Sequence, residues 1–75
     1  MSTQENFLKK MRTERNMTIK ELSELSGVPE AQIRRIERTA NGSVESIAKL
    51  ALALRVSPNK MLSGLNEEKS AHGNK

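Results

Sequence analysis

Apolar residues recur at helical spacing along most of the chain, and no stretch alternates between apolar and polar residues as a half-buried strand does. An early apolar group lies in residues 4–15, and the most apolar group runs from Val44 to Leu54. The pattern predicts an all-α fold, a compact bundle of five short helices. The inner faces of the first three helices are predicted to comprise Phe7, Leu8, Met11, Leu22, Leu25, Ile33 and Ile36, with Val28 just ahead of the third.

Polar residues mark where the first three helices begin and end. Asn16 follows the first helix and tolerates the left-handed conformation that ends many helices. Thr18 and Glu21 form a capping box, in which each side chain bonds the other's backbone N–H, so a second helix should start at Thr18. Gly27 is expected to end it. Pro29 suits the start of a third helix, because its missing N–H is harmless in the first turn.

The C-terminal half carries similar signals. The polar stretch 39–42 ends the third helix, and Ser43 is predicted to cap the fourth. Ser57-Pro58 repeats a cap-then-proline start for a short fifth helix, which Ser63-Gly64 is expected to end. The chain is polar from Asn66 onward. At 75 residues it is expected to form one domain over residues 1–64, followed by a disordered tail over 65–75.

The net charge is +4, from 13 basic and 9 acidic residues, and its distribution is uneven. Residues 34–38 contain three arginines, whereas residues 66–75 are neutral. A basic patch favours a polyanionic partner, although such a charge also serves solubility alone.

Several classes of function are disfavoured by what the sequence lacks. It contains no cysteine, no aspartate and a single histidine, His72, so no catalytic or metal-binding constellation is recognisable and no cofactor is expected. No apolar run is long enough to cross a membrane, and the first residues lack the pattern of a signal peptide. We therefore expect a cytoplasmic protein that is not an enzyme and does not bind membranes.

The second and third helices, separated by Ser26-Gly27-Val28, suggest a helix-turn-helix. The second helix of such a unit enters the major groove of DNA. Ala31, Arg35 and Arg38 are spaced i, i+4, i+7 and therefore share one exposed face of that helix.

Four short patterns occur in order along the chain. They are Leu8-x-x-x-Arg12, Met17-Thr18-x-x-Glu21-Leu22, Gly27-Val28-x-x-x-x-Ile33-x-x-Ile36-Glu37 and Leu50-Ala51-x-Ala53-Leu54-x-Val56-Ser57. With them the chain resembles, from about Phe7 to Leu62, the lambda-repressor-like helix-turn-helix domains of the Cro/cI or xenobiotic-response-element type. The resemblance implies a prokaryotic or phage-encoded regulator that binds double-stranded DNA, more often a repressor than an activator, with a recognition helix at about 29–38.

The resemblance also implies roles for single residues. Arg12 and Glu37 match a charged pair that ties the first helix to the third. Glu30, Ala31 and Arg35 match base-reading positions, to which we add their neighbours Gln32 and Arg34. The residues expected near phosphates are Thr18, Lys20, Arg38, Thr39, Asn41 and Ser43, the last because it starts a helix whose N–H groups favour anions.

The chemistry of the predicted reading residues leaves some roles open. Arg35 can pair bidentately with guanine O6 and N7. Glu30 can accept a hydrogen bond from cytosine or simply favour the positive end of its helix. Ala31 can touch a thymine methyl or only allow close approach. Gln32 can reach adenine or pack at the turn, and Arg34 can face a base, a phosphate or solvent.

Four positions depart from the family pattern. Ile19 stands where a glutamine commonly binds a phosphate, and Thr39 where glycine usually ends the third helix. Gly42 replaces a proline, and Arg55 replaces a glycine that permits a left-handed turn. The fold is expected to survive these changes, but the contacts to the DNA backbone are expected to differ.

One recognition helix covers only a half-site, so a homodimer is expected. Pro58, Met61, Leu62 and Leu65 are the candidate interface, although Met61 and Leu62 can equally close the monomer's core. The alternative function is an antitoxin or interaction module that binds a protein through the C-terminal tail.

Overall fold

The helical periodicity is realised in five α-helices over residues 6–73, the part of the chain that the computed structural model describes, and no strand occurs there. The all-α prediction is confirmed. The helices are α1 (Phe7–Glu14), α2 (Ile19–Ser26), α3 (Glu30–Thr39), α4 (Val44–Ala53) and α5 (Pro58–Gly73).

The predicted caps form. Thr18 Oγ1 accepts from the Glu21 N–H at 3.0 Å, while Glu21 Oε1 accepts from the Thr18 N–H at 2.9 Å, so the capping box is complete. Gly27 ends α2 with φ 81°, a left-handed conformation that glycine adopts without steric cost. Ser43 caps α4 by accepting from the Ser46 N–H at 3.1 Å. Pro29 lies one position earlier than expected, as the N-cap of α3.

Among the described residues, three other than glycine have positive φ, and all stand at helix ends. Asn16 (54°) follows α1 as expected, and Arg55 (62°) takes the left-handed turn after α4 without the family's glycine. The left-handed residue that ends α3 is Ala40 (61°) rather than Thr39, because α3 continues through Thr39.

One contiguous core joins all five helices. Its buried members are Leu8, Leu22, Val28, Ile33, Ile36, Ala40, Ile47, Leu50, Ala51, Leu54, Met61 and Leu65, with Phe7, Met11 and Ile19 among the half-buried side chains packed against it. Leu25 was expected on the inner face of α2, but its side chain is 62% exposed. The i, i+3 spacing from Leu22 is not the reason, since Ile33 and Ile36 are both buried at the same spacing. Leu25 lies one turn further along α2, where it lines an open groove with the end of α4.

The fifth helix is longer than predicted. It does not end at Ser63-Gly64 but continues to Gly73, so residues 65–73 are helical rather than a disordered tail, while residues 74–75 lie outside the described part. Gly64 is a contact position: a Cβ there would lie 2.8 Å from Cγ of the Phe7 ring. The glycine therefore lets α5 pack closely on α1.

The burial of two residues of α5 also shows that the predicted dimer patch was partly wrong. Met61 and Leu65 are fully buried in the monomer, so neither can contribute to an exposed interface. Pro58 and Leu62 are half-buried and retain some accessible surface.

Polar contacts from α1 fix the position of α3. Arg12 and Glu37 form a bidentate ion pair, with Nε–Oε2 at 2.6 Å and Nη2–Oε1 at 3.0 Å, and their side chains are 11% and 8% exposed. Arg12 Nη1 also donates to the Met17 carbonyl at 2.8 Å, which adds the α1–α2 loop to the junction. Asn6 caps α1 through Oδ1 and donates through Nδ2 to the Ile36 carbonyl at 2.7 Å. The two ends of α1 thus hold the C-terminal half of α3.

Removal of one partner of the Arg12–Glu37 pair is expected to destabilise the protein strongly, whereas removal of both partners together is not. Glu37→Ala leaves a guanidinium nearly buried without its carboxylate, which should lower the free energy of unfolding by about 3–5 kcal/mol. The double variant Arg12→Ala/Glu37→Ala should lose much less than the sum of the losses from Arg12→Ala and Glu37→Ala. Urea unfolding followed by circular dichroism measures each variant. Lys49→Ala, which removes the exposed pair with Glu45, is the matched control and should lose less than about 0.5 kcal/mol. Additive single and double losses would contradict a coupled pair.

Gly64→Ala should destabilise the protein although alanine is the better helix former. The methyl group would force the Phe7 ring away, at a cost of about 1–3 kcal/mol, against a gain in helix propensity of about 1 kcal/mol. Thermal unfolding is the measurement, and Ser63→Ala, at the preceding exposed position, should be neutral or slightly stabilising. A higher melting temperature for Gly64→Ala would show that α5 does not depend on the close contact.

Candidate nucleic-acid interface

The outer face of α3 is polar and accessible because the inner face is fixed by two isoleucines. Ile33 and Ile36 are buried to within 1% of complete burial, which sets the rotation of the helix about its axis. The side chains left facing outward are Ala31, Gln32, Arg34, Arg35, Arg38 and Thr39, all exposed, with Glu30 half-buried at the start.

The charges of α3 are not equally available. Glu30 Oε1 and Arg34 Nη2 lie 3.2 Å apart, an i, i+4 pair on the helix surface. The carboxylate and this guanidinium therefore offset each other. Arg35 and Arg38 form no salt bridge with any side chain that the structure describes. The free positive charge of the helix lies on these two residues.

Gln32 is held in one orientation by the start of α4. Its Oε1 accepts from the Ser46 hydroxyl at 3.2 Å, and Ser46 Oγ in turn accepts from the Ser43 hydroxyl at 3.0 Å. The amide oxygen accepts this bond with one lone pair, and both N–H donors of the Gln32 amide remain available to a ligand. This contact excludes neither of the roles expected for Gln32.

A cleft of about 330 Å³ separates α3 from the loop that leads into α4. Its lining combines Arg35 with the first turn of a helix, where backbone N–H groups lack intrahelical partners. Ser43 satisfies the N–H of Ser46. The lining residues are Gln32, Arg35, Ile36, Asn41, Gly42, Ser43 and Ser46. A cation and a helix N-terminus at one cleft favour an anionic ligand.

The hydroxyl groups predicted near phosphates differ in whether their O–H already donates a hydrogen bond within the protein. Thr39 donates to the Arg35 carbonyl at 2.8 Å and accepts from the Asn41 N–H at 3.1 Å. The Ser43 hydroxyl likewise both donates and accepts within the protein. Thr18 accepts from Glu21 but keeps its own O–H free. Of the three hydroxyls, that of Thr18 is best placed to donate to a phosphate.

The remaining predicted phosphate contacts, the side chains of Lys20, Arg38 and Asn41, are exposed. Ile19 packs against the core instead of facing outward, so the position where the family has a phosphate-binding glutamine contributes to stability here. The start of α2 therefore offers Thr18 and Lys20 alone.

Two residues that position this surface had not been singled out from the sequence. Asn6 is an asparagine immediately before the first apolar helix, which is a cap signal, but its bond to Ile36, 30 residues away, has no local signature. Ser46 resembles any exposed serine in a first turn, and only the packing of α4 on α3 brings it to Gln32.

The described residues contain no group of three or more histidine, cysteine or acidic side chains that could hold a metal ion. Within the same part of the chain, none of the helices has the length and apolar character needed to cross a membrane.

Comparison with known proteins bears on what this surface binds. A family model described as helix-turn-helix matches residues 8–61, more than two thirds of the chain, whereas no curated protein and no solved structure matches it. The match covers α1 to α4 and the start of α5, and so includes the whole of the surface around α3. The chain belongs to the Cro/cI-type, or xenobiotic-response-element-type, helix-turn-helix family of DNA-binding transcription regulators.

Proposed function

We propose that the chain represses transcription by binding a specific double-stranded DNA sequence as a homodimer, with α3 in the major groove. The observation that carries the proposal is the placement of Arg35: exposed, unpaired among the described side chains and beside the start of α4. From a position next to a helix N-terminus, the guanidinium would reach a base edge while the neighbouring N–H groups would bind the DNA backbone.

The reading residues divide into two groups. Arg35 and the NH₂ group of Gln32 are the donors available for base edges, and guanine O6 and N7 are the acceptors that suit an arginine. Ala31, on the same face as Arg35, allows the helix to approach closely. Glu30 and Arg34 neutralise each other at 3.2 Å and contribute mainly to the helix itself. Arg38 and Lys20 supply charge to phosphates, with the Thr18 hydroxyl as a further donor.

Repression requires nothing beyond occupancy of the site, because a bound protein excludes others from the same DNA. A homodimer supplies the second reading helix that a single domain lacks. Pro58 and Leu62 are the members of the predicted interface that keep accessible surface. The alternative, a protein partner bound through the C-terminal tail, loses one anchor, since Leu65 is 2% exposed in the core.

Selection of bound sequences from a random duplex pool, followed by binding at several salt concentrations, tests the reading role. Arg35→Ala should cost about 1–3 kcal/mol on the selected site and relax the preference at one base pair. Arg38→Ala should weaken binding on all sequences and reduce the salt slope by about 1. Arg34→Ala, which removes the arginine already paired with Glu30, is the matched control and should change less than either. Equal losses for Arg35→Ala on matched and mismatched sites would refute its role as a base reader.

The dimer proposal predicts a selected site with two half-sites about 34 Å, or one helical turn, apart. Sedimentation of the complex should give two chains per duplex. Leu62→Gln should weaken binding to the full site while leaving the affinity for an isolated half-site unchanged, and Lys60→Gln, on the exposed side of the same turn, should change neither. A selected site without a repeat, bound by one chain, would contradict the homodimer.

A further inference from the structure

Two leucines that the core does not use lie exposed at the C-terminal ends of α2 and α4. Leu25 is 62% exposed and Leu52 is 67% exposed. They line a shallow groove of about 440 Å³, here called the α2–α4 groove, together with Ser26, Lys49, Ala53 and Arg55. The groove contributes no residue to the surface around α3.

Neither leucine is explained by the packing of the monomer. The stripe that α4 buries consists of Ile47, Leu50, Ala51 and, at its end, Leu54, and Leu52 lies off it. On α2, Leu22 is fully buried and Ile19 packs half-buried against the core. Scattered exposed leucines are common, but two from different helices lining one groove form a patch.

The groove is bordered by positive charge. Among the described residues its lining contains two cations, Lys49 and Arg55, and no carboxylate. Lys49 lies 3.7 Å from Glu45, an exposed contact one turn toward the start of α4. Arg55 forms no salt bridge with any described side chain, and it holds its place at φ 62°, where glycine would be less strained. Cations near helix C-termini are favourable in themselves, so it is the combination with the leucines that indicates a ligand.

We propose that the α2–α4 groove docks an acidic segment of a protein partner that presents apolar side chains between its carboxylates. The leucines would bury those side chains, and Lys49 and Arg55 would pair with the acids. A second copy of this chain fits poorly, because a two-fold contact would place the same cations opposite each other. DNA fits poorly as well, since phosphates leave the leucines in water.

The location of the groove allows DNA and the partner to bind together. The N-caps of α2 and α4, Thr18 and Ser43, lie at the proposed DNA surface, and the groove lies at the other ends of the same helices. The helices have 8 and 10 residues, which separates the two surfaces by about 12–15 Å along their axes. The segment that fits such a groove is a short amphipathic one.

A random peptide library displayed on phage, selected on the full chain and counter-selected on Leu52→Glu, tests the proposal. The expected consensus combines leucine or another large apolar residue with several Asp or Glu. Titration of the synthetic consensus peptide into the ¹⁵N-labelled chain should shift the amides of the groove and not those of α3. Leu52→Glu should weaken peptide binding about tenfold or more.

Three controls make the result specific. Val44→Glu changes an equally exposed apolar residue (65%) at the opposite end of α4 and should leave peptide affinity unchanged. Arg55→Gln should weaken binding and reduce its salt dependence. DNA binding of Leu52→Glu should equal that of the unaltered chain, so the docking proposal can fail without affecting the proposed DNA function.

Three outcomes would overturn the proposal. The first is a consensus that is basic or uncharged. The second is a selection that yields no peptide shifting the groove amides. The third is self-association of the unaltered chain that Leu52→Glu abolishes, which would make a second copy the occupant of the groove.

Discussion

The orientation of α3 depends on its polar contacts with α1, above all on the Arg12–Glu37 pair, which the Asn6 bond to the Ile36 carbonyl supplements. Ile33 and Ile36 set the rotation of the helix about its axis, but two side chains on one face do not set its tilt. Arg12 does so, because its guanidinium holds Glu37 bidentately and the Met17 carbonyl at the same time. Burial of such a pair adds little net stability after desolvation, yet it penalises every arrangement that separates the partners. The junction thus contributes geometry more than free energy, and geometry is what a helix that reads base edges requires.

Around this junction the polar groups of α3 are sorted by what already binds them. Glu30 engages Arg34, Ser46 engages the oxygen of Gln32, and the Thr39 hydroxyl is used twice within the chain. What remains unengaged among the described groups is two guanidinium side chains and one amide NH₂, all of them donors. The acceptor-rich edge of guanine and the phosphates are complementary to such a set. The hydrogen bonds within the protein therefore restrict the kinds of ligand that suit this surface as much as the identity of the exposed residues does.

Features governed by neighbours in sequence were predictable, whereas those governed by distant contacts were not. The Thr18–Glu21 box and the Gly27 and Ser43 signals act within one turn, and each appears where expected. The predicted end of α5 was wrong, because Gly64 was interpreted as a helix stop. Its role is instead to leave room for the Phe7 ring, which comes from the other end of the chain. The predicted burial of Leu25 was wrong for a related reason. Periodicity gives the angle of a residue on α2, but it does not show whether a neighbouring helix extends far enough to cover that residue. The pairing of Arg12 with Glu37 was implied only by resemblance, since 25 residues separate them.

Helices α2 and α4 each contribute to both proposed surfaces, which has a consequence for regulation if both surfaces are occupied. Their N-termini face the proposed DNA site and their C-termini form the α2–α4 groove, while the buried side chains Leu22, Leu50 and Leu54 lie in the core between these ends. Close-packed side chains transmit small displacements instead of absorbing them. A partner that alters the spacing of the C-termini would therefore alter the spacing of the N-termini. Linkage requires the converse, that DNA changes the affinity for the partner by the same factor. The protein would in this way respond to a second protein.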